Sequence, residues 1–214
     1  MRITFRRFPA HASAYSVIER DDGVVYHLRE SGRSGPEVPH DLRHLVVERE
    51  LGITDGIWGG IAAGIVYTSM EHVRGRRPPH AADRSDELKR TQRDRVMRAE
   101  LLANLVEAVA VLADPSSQQI ERLARARLSA VPVAEPGADP AAVVALPSAA
   151  ALAAAASALQ VEAARWARLR PGDELVYEWR RARPAAGRGL RAVPRPREAA
   201  DRRDPRHSGR RGPR

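Results

Sequence analysis

The chain has 214 residues, which is enough for one domain with a hydrophobic core, and it contains no cysteine. Disulfides, thiolate catalysis and cysteine-ligated zinc are therefore excluded, so histidines and carboxylates are the metal ligands to consider. The net charge of +9 is concentrated at the C-terminus: residues 180–214 contain 13 arginines and three acids, whereas residues 1–179 carry a net charge of about −1.

No targeting or membrane-spanning segment is predicted. Residues 1–9 already include three arginines, so an apolar leader is not expected there. The longest apolar run, over residues 56–67, is shorter than the roughly 20 residues that a transmembrane helix requires. We therefore expect a cytoplasmic protein with no membrane span.

The first thirty residues predict a small antiparallel sheet. Residues 2–8 and 13–20 are rich in β-branched and aromatic residues, which favours strands. The sequence Asp-Asp-Gly at residues 21–23 predicts a hairpin turn into a third strand over residues 24–29. Residues 31–36, rich in Gly, Ser and Pro, are expected to form a loop. The inward-facing side chains of this sheet are predicted to be Ile18, Val24, Tyr26 and Leu28.

The first helix is predicted over residues 39–51, because Pro39 suits a first helical turn and Gly52 suits a left-handed end. His40, His44 and Glu48 are four residues apart and therefore share one face of this helix. Apolar side chains cover most of its remaining surface, so the helix is expected to be largely buried. Buried imidazoles need partners, which means that they hydrogen-bond to each other and to the backbone or hold a ligand.

A second helix is predicted to follow, capped by Thr54 and with Asp55 in its first turn. Gly56, Gly60 and Gly64 recur at intervals of four and give this helix one smooth face. Close packing against a neighbouring element is the favoured explanation. Room for a flat or elongated apolar ligand beside the histidines is the alternative.

The rest of the chain predicts further helices and one more strand. Residues 71–82 form a polar connection, and residues 85–112 form one long helix with a charged first half and an apolar second half. A shorter helix capped by Ser116 or Ser117 extends to residue 128, with Ile120, Leu123 and Leu128 as its core side chains. An alanine-rich helix capped by Ser148 extends to residue 170 and needs a few large anchors. These anchors are predicted to be Leu152, Leu159, Val161, Trp166 and Leu169.

Together these elements predict an α+β fold. Residues 174–179 alternate as a strand, which we place on the N-terminal sheet. The expected architecture is a single domain over residues 1–180, with a small antiparallel sheet packed with about five helices. Four prolines make residues 131–147 a linker within it. Residues 181–214, rich in Arg and Pro, are expected to be a disordered tail.

Two imidazoles and two carboxylates on one helical face are ligand types of zinc, iron or manganese. The sequence therefore predicts a divalent metal bound by His40 and His44, with Glu48 or Asp55 as the third ligand. Asp41 would orient His40 or act as the general base, and a bound water would become acidic. Polar packing without a metal and acid–base chemistry without a metal are the alternatives, so whether the protein is an enzyme stays open.

Two resemblances rest on this same stretch. Pro39-His40-Asp41-Leu42-x-His44, followed by Glu48 and by Gly-x-Trp-Gly at residues 56–59, is similar to a block found in a bacterial protein family that carries no assigned activity. His-Asp-x-x-His also resembles the metal motif of the Coq-four-type ubiquinone-biosynthesis proteins, in which a later Glu completes the site. That resemblance implies a helical fold, a divalent metal and an apolar, isoprenoid type of ligand. The later Glu falls on Gly56 here, with Asp55 one position earlier.

A different class of function rests on the basic tail. Arg-rich segments neutralise phosphates, so the tail predicts weak, nonspecific binding of nucleic acid or other anionic partners. Base-specific binding is not expected, because no aromatic residue follows Trp179. General arginine enrichment of the sequence is the alternative explanation. The charged half of the long helix also leaves open a non-enzymatic interaction protein or a homo-oligomer.

Overall fold

The structure is a computed structural model, and it describes residues 1–9, 13–33, 37–129 and 146–180. Residues Met1–Ala182 form one compact unit. The predicted linker lies outside the described residues except at its last two positions, and the predicted tail over residues 181–214 lies outside them entirely.

Within the described residues, the sheet has five antiparallel strands: β1 (Arg2–Arg6), β2 (Ser13–Glu19), β3 (Val25–Arg33), β4 (Met70–Arg74) and β5 (Glu174–Glu178). Their order across the sheet is β4-β3-β2-β1-β5. The predicted return of the C-terminal strand to the N-terminal sheet is confirmed, because Val176 of β5 lies opposite Thr4 of β1. The prediction of a loop at residue 31 is wrong, since β3 continues to Arg33.

The predicted hairpin between β2 and β3 is confirmed. Gly23 has a φ of +79°, a backbone conformation that favours glycine, and the backbone N–H of Arg20 donates to the carbonyl of Val24. All four side chains that were predicted to face inward are buried: Ile18, Val24, Tyr26 and Leu28. Local turn chemistry and two-residue alternation therefore suffice to define this part of the sheet.

Strand β4 corrects the prediction of a polar connection over residues 71–82. It is an edge strand in which Met70 is buried and the other four residues are exposed. Such a strand carries no apolar alternation that a sequence pattern can detect. It forms because β3 supplies its hydrogen-bonding partners, with Tyr26 opposite His72.

Six helices lie in the described part of the chain: α1 (His40–Glu50), α2 (Ile57–Ala63), α3 (Ala81–Thr91), α4 (Arg93–Ala110), α5 (Ser117–Ser129) and α6 (Ala149–Ala167). The prediction of a single long helix over residues 85–112 is wrong. The helix is interrupted at Gln92, which has a non-helical φ of −106° and ψ of 7° and separates α3 from α4. The two halves pack differently. Helix α4 has a buried apolar stripe, whereas Ser85 is the buried residue of α3.

Helix α6 begins as predicted, with the Ser148 hydroxyl accepting a hydrogen bond from the backbone N–H of Ala151 at 3.2 Å. Leu152, Leu159 and Trp166, spaced seven apart, are buried and anchor the helix. Val161 was predicted to join them but is 60% exposed. It lies two residues beyond Leu159, about 200° around the helix, and so faces away from the core.

Helix α1 lies at the centre of the helical layer, in contact with α4 and α6, and it also touches the sheet at β3. Its predicted burial is confirmed, as is its end at Gly52, which has a φ of +65°. Trp58 of α2 connects the two layers, because its ring packs edge-on against Phe5 of β1 at 5.9 Å. Among the described residues, no helix combines the length and apolarity needed to cross a lipid bilayer.

Candidate metal centre

His40, His44 and Glu100 form a compact cluster between α1 and α4. The two histidines lie one turn apart on α1, so their rings project to the same side of that helix. Glu100 lies in α4 beside the buried stripe that packs this helix against the core. His44 is fully buried, whereas His40 and Glu100 are partly exposed. The cluster therefore lies at the edge of the interior, where water or a ligand has access.

The three atoms that face each other could hold a metal ion. Nε2 of His44 lies 3.2 Å from Nε2 of His40 and 3.2 Å from Oε2 of Glu100, while the His40–Glu100 distance is 3.9 Å. The nearest point equidistant from these atoms lies in their plane, about 2.0 Å from each, which equals typical zinc–nitrogen and zinc–oxygen distances. The two 3.2 Å separations also match the edge of about 3.3 Å of a tetrahedral face with such bonds, and the 3.9 Å separation between His40 and Glu100 is longer.

Asp41 contacts the ring nitrogen of His40 that points away from the cluster and so orients the ring. Oδ1 of Asp41 is 3.3 Å from Nδ1 of His40, and the neutral tautomer with its proton on Nδ1 would donate to this carboxylate and present the Nε2 lone pair to the cluster. Of the two roles predicted for Asp41, this contact corresponds to orienting His40. The backbone carbonyl of Asp41 also accepts a hydrogen bond from the Trp58 indole at 3.1 Å, which ties α2 to the start of α1.

Electrostatic interactions in the cluster favour a cation. The hydrogen bond to Asp41 raises the pKa of His40 above its usual 6.5, although burial opposes this effect. The hydrogen bond from His44 lowers the pKa of Glu100 below its usual 4.5, so this carboxyl is ionised at neutral pH. A cation placed between the rings and the carboxylate would replace the contact of His44 with Glu100, while Asp41 would keep its contact with Nδ1 of His40.

Glu48 does not join the cluster, although it lies one turn beyond His44. Its carboxylate accepts hydrogen bonds from the backbone N–H groups of Ile57 at 2.7 Å and Trp58 at 3.1 Å, and so it caps α2. This replaces the cap predicted at Thr54, since no side chain of the preceding residues caps this helix. Burial raises the pKa of Glu48 to about 8, against the opposing effect of the backbone donors.

Asp55, the other predicted third ligand, also lies outside the histidine cluster. Its Oδ2 lies 3.5 Å from Nε of Arg95 in a partly exposed ion pair. The structure therefore brings neither Glu48 nor Asp55 to the histidines, and Glu100 occupies that position instead. The sequence did contain one signal for Glu100: it is the acid that directly precedes the apolar run Leu101-Leu102-Ala103 in the second half of the predicted long helix.

The predicted glycine face of α2 is closely packed at Gly56 and Gly60, whereas Gly64 ends the helix with a φ of +125°, and a Cβ there would meet Leu88 at 3.6 Å, an ordinary contact. A Cβ on Gly56 would lie 2.6 Å from the carboxyl carbon of Glu48, and one on Gly59 would lie 2.0 Å from the carbonyl oxygen of Thr54. A Cβ on Gly60 would lie 2.9 Å from the side chain of Ile65. Protein atoms, rather than an open apolar groove, cover these three positions.

Comparisons of the chain with protein-family models, with curated protein sequences and with solved structures gave no match.

Proposed function

We propose that this protein binds one divalent transition-metal ion through His40, His44 and Glu100. The observation that carries the proposal is the triangle of ligand atoms, whose centre lies about 2.0 Å from all three. Two imidazoles and one carboxylate are a common ligand set for zinc hydrolases and for iron enzymes. Zinc, iron and manganese are the candidate ions.

Three protein ligands leave at least one coordination position for water or a substrate. A divalent ion in such a site supplies Lewis acidity and acidifies the water that it binds, which suits hydrolysis or hydration of a polar bond. His40 and Glu100 are partly exposed, so two of the three ligands are accessible from solvent. Asp41 contributes by fixing the ring of His40, because a metal ligand must present its lone pair along a set direction.

The test is metal binding by the full-length chain after treatment with a chelator. Calorimetric titration with Zn²⁺, and visible absorption after titration with Co²⁺, should both show one ion per chain. His44→Ala and Glu100→Gln should weaken binding by a factor of about 100 or more, because each removes one of three ligands. His80→Ala and Glu121→Gln are matched controls, since both residues are exposed and lie outside the cluster.

Two results would count against the proposal. One is the absence of stoichiometric binding of Zn²⁺, Fe²⁺, Mn²⁺ or Co²⁺ by the wild-type chain. The other is equal binding by wild type and Glu100→Gln, which would mean that the ion sits elsewhere. In either case, the 3.2 Å contact of His44 with Glu100 would be a structural ion pair.

A further inference from the structure

A pocket of about 500 Å³ lies where β3, the end of α2 and the start of α3 meet. That volume is within the range of pockets that bind small molecules. Its lining combines an apolar wall, to which Pro78 and Leu88 belong, with several polar side chains. The polar side chains are those of Arg20, Tyr26, Arg84 and Glu87. None of the described residues that line it belongs to the candidate metal centre, so this pocket is a separate site.

Tyr26 contributes a hydroxyl to this pocket. The residue is 2% exposed, and its ring packs edge-on against His72 with the ring centroids 5.7 Å apart. Its hydroxyl makes no hydrogen bond to any other described residue. A phenol can donate one hydrogen bond, so a molecule in the pocket meets a buried donor that no protein acceptor occupies.

Arg20 reaches the pocket from the turn between β2 and β3, and its side chain is only 14% exposed. A Cβ on Gly64 would lie 3.8 Å from Nη2 of Arg20 and 3.6 Å from Cδ1 of Leu88, so the guanidinium lies at the end of α2, close to α3. Nη2 of Arg20 donates to Oδ2 of Asp22 at 2.7 Å. The Nε and Nη1 donors of Arg20 are left for another acceptor.

Two further arginines at the pocket have no ion-pair partner. Arg84 lines the pocket, and Arg77 directly precedes the lining residue Pro78. Neither forms an ion pair with a described residue. Burial raises the pKa of Tyr26, and the positive charges of Arg20 and Arg77 oppose that shift, in agreement with this placement.

The acids near the pocket are already neutralised. Asp22 accepts the hydrogen bond from Arg20, and the carboxylate of Glu87 accepts two hydrogen bonds from Arg90, of 3.1 and 2.7 Å. Each of these two pairs has no net charge. The unpaired arginines therefore leave two positive charges without a counter-ion, and the pocket suits a dianion.

We propose that this pocket binds a phosphate monoester. A phosphoryl group carries a charge of about −2 at neutral pH, which matches the two unpaired arginines. Guanidinium groups bind phosphoryl oxygens through short, strong hydrogen bonds, and the Tyr26 hydroxyl supplies a further donor. The organic part of the ester packs against the wall that includes Pro78 and Leu88. A monocarboxylate carries a single charge and leaves one arginine without a counter-ion.

The experiment is calorimetric titration of the full-length chain with phenyl phosphate. Metal is first removed with a chelator, and the chelator is removed by dialysis, so that the candidate metal centre does not contribute to binding. One phenyl phosphate should bind per chain. Benzoate has the same ring and a single charge, and it should bind at least about tenfold more weakly because it accepts fewer hydrogen bonds from the arginines.

Two variants test the residues that would hold the phosphoryl group. Arg84→Gln should lower the affinity for phenyl phosphate by about tenfold or more, the effect of one charge-assisted hydrogen bond. Tyr26→Phe should lower it by about tenfold and leave the stability of the ligand-free protein unchanged, because the hydroxyl has no protein partner. Arg125→Gln is the matched control for Arg84→Gln, since Arg125 is an exposed helical arginine outside the pocket, and its affinity should equal that of wild type.

Four outcomes would contradict these expectations. Absence of phenyl phosphate binding by the wild-type chain overturns the proposal. Equal binding by wild type and Arg84→Gln also overturns it, because the ester then binds elsewhere, for instance at the basic tail. Benzoate binding as tight as that of phenyl phosphate overturns the assignment to a phosphate ester. A destabilised Tyr26→Phe variant overturns the role of the hydroxyl as a free donor. The Co²⁺ titration tests the metal site separately, so either proposal can fail without the other.

Discussion

Glu48 gives the most quantitative prediction, because the residue is 1% exposed and the pKa of its carboxyl is raised from 4.5 to about 8. A raised pKa in the folded state means that this group contributes most to stability below pH 4.5 and progressively less as the pH rises to about 8. The slope is about 1.4 kcal/mol per pH unit, so the loss over this range amounts to about 5 kcal/mol. That is a large part of the 5–15 kcal/mol that typically stabilises a domain.

Glu48→Gln removes the ionisation but keeps an oxygen that can accept from Ile57 and Trp58. The wild-type chain should therefore lose about 5 kcal/mol of stability relative to this variant as the pH rises from 4.5 to 8. The measurement is urea unfolding of both proteins at several pH values, with chelator present so that no metal contributes. Subtracting the two curves removes the effects of His40 and Glu100, which titrate in both proteins.

Glu50→Gln is the matched control, because Glu50 lies on the same helix but is exposed. It should change stability by under about 0.5 kcal/mol, as expected for an exposed surface substitution. The reasoning would be refuted if the wild type gained stability relative to Glu48→Gln as the pH rose. That result would mean that the backbone donors of α2 outweigh burial and keep Glu48 ionised at neutral pH.

The remaining predictions test the packing and the tail. Gly56→Ala should destabilise the fold by about 1–3 kcal/mol in chemical unfolding, because its Cβ would lie 2.6 Å from the Glu48 carboxyl. The same substitution should destabilise a Glu48→Ala variant much less, because the clashing carboxyl is then absent. Leu152→Ala should lower the free energy of unfolding by about 2–5 kcal/mol in the same assay, because Leu152 is buried. Val161→Ser should change it by under about 0.5 kcal/mol, because Val161 is largely exposed. Equal losses of stability would contradict this orientation of α6. Deletion of residues 181–214 should abolish any binding of a random DNA duplex in a fluorescence titration. Binding of that duplex by the full chain should weaken steeply with added salt. DNA binding that survives the deletion would place the contact in the folded unit.

Local patterns predicted the elements whose determinants lie close together in the chain. The hairpin at Gly23, the cap at Ser148 and the end of α1 at Gly52 are each set by a few adjacent residues. The alternating residues 174–179 predicted that β5 is a strand. The histidine face of α1 follows from four-residue spacing, so the sequence alone predicts two of the three residues in the candidate site.

The third residue of the site depends on contacts between distant parts of the chain. Glu100 reaches His44 because α4 packs against α1, and no spacing within either helix encodes that approach. Glu48 had the right spacing for a ligand, yet the donors at the start of α2 bind its carboxylate. Short-range periodicity identifies which side chains share a face, but it does not identify which neighbour will meet that face.

The sequence by itself determined the α+β class, the buried helix near residue 40 and the two imidazoles on its surface, because these follow from hydrophobic periodicity and turn chemistry. The tertiary structure decided the third ligand, the edge strand β4 and the break at Gln92. Each of these depends on a partner far away in the chain: a facing helix, a neighbouring strand or a separate packing surface. Hydrogen bonds and packing across such distances are fixed only when the whole chain folds.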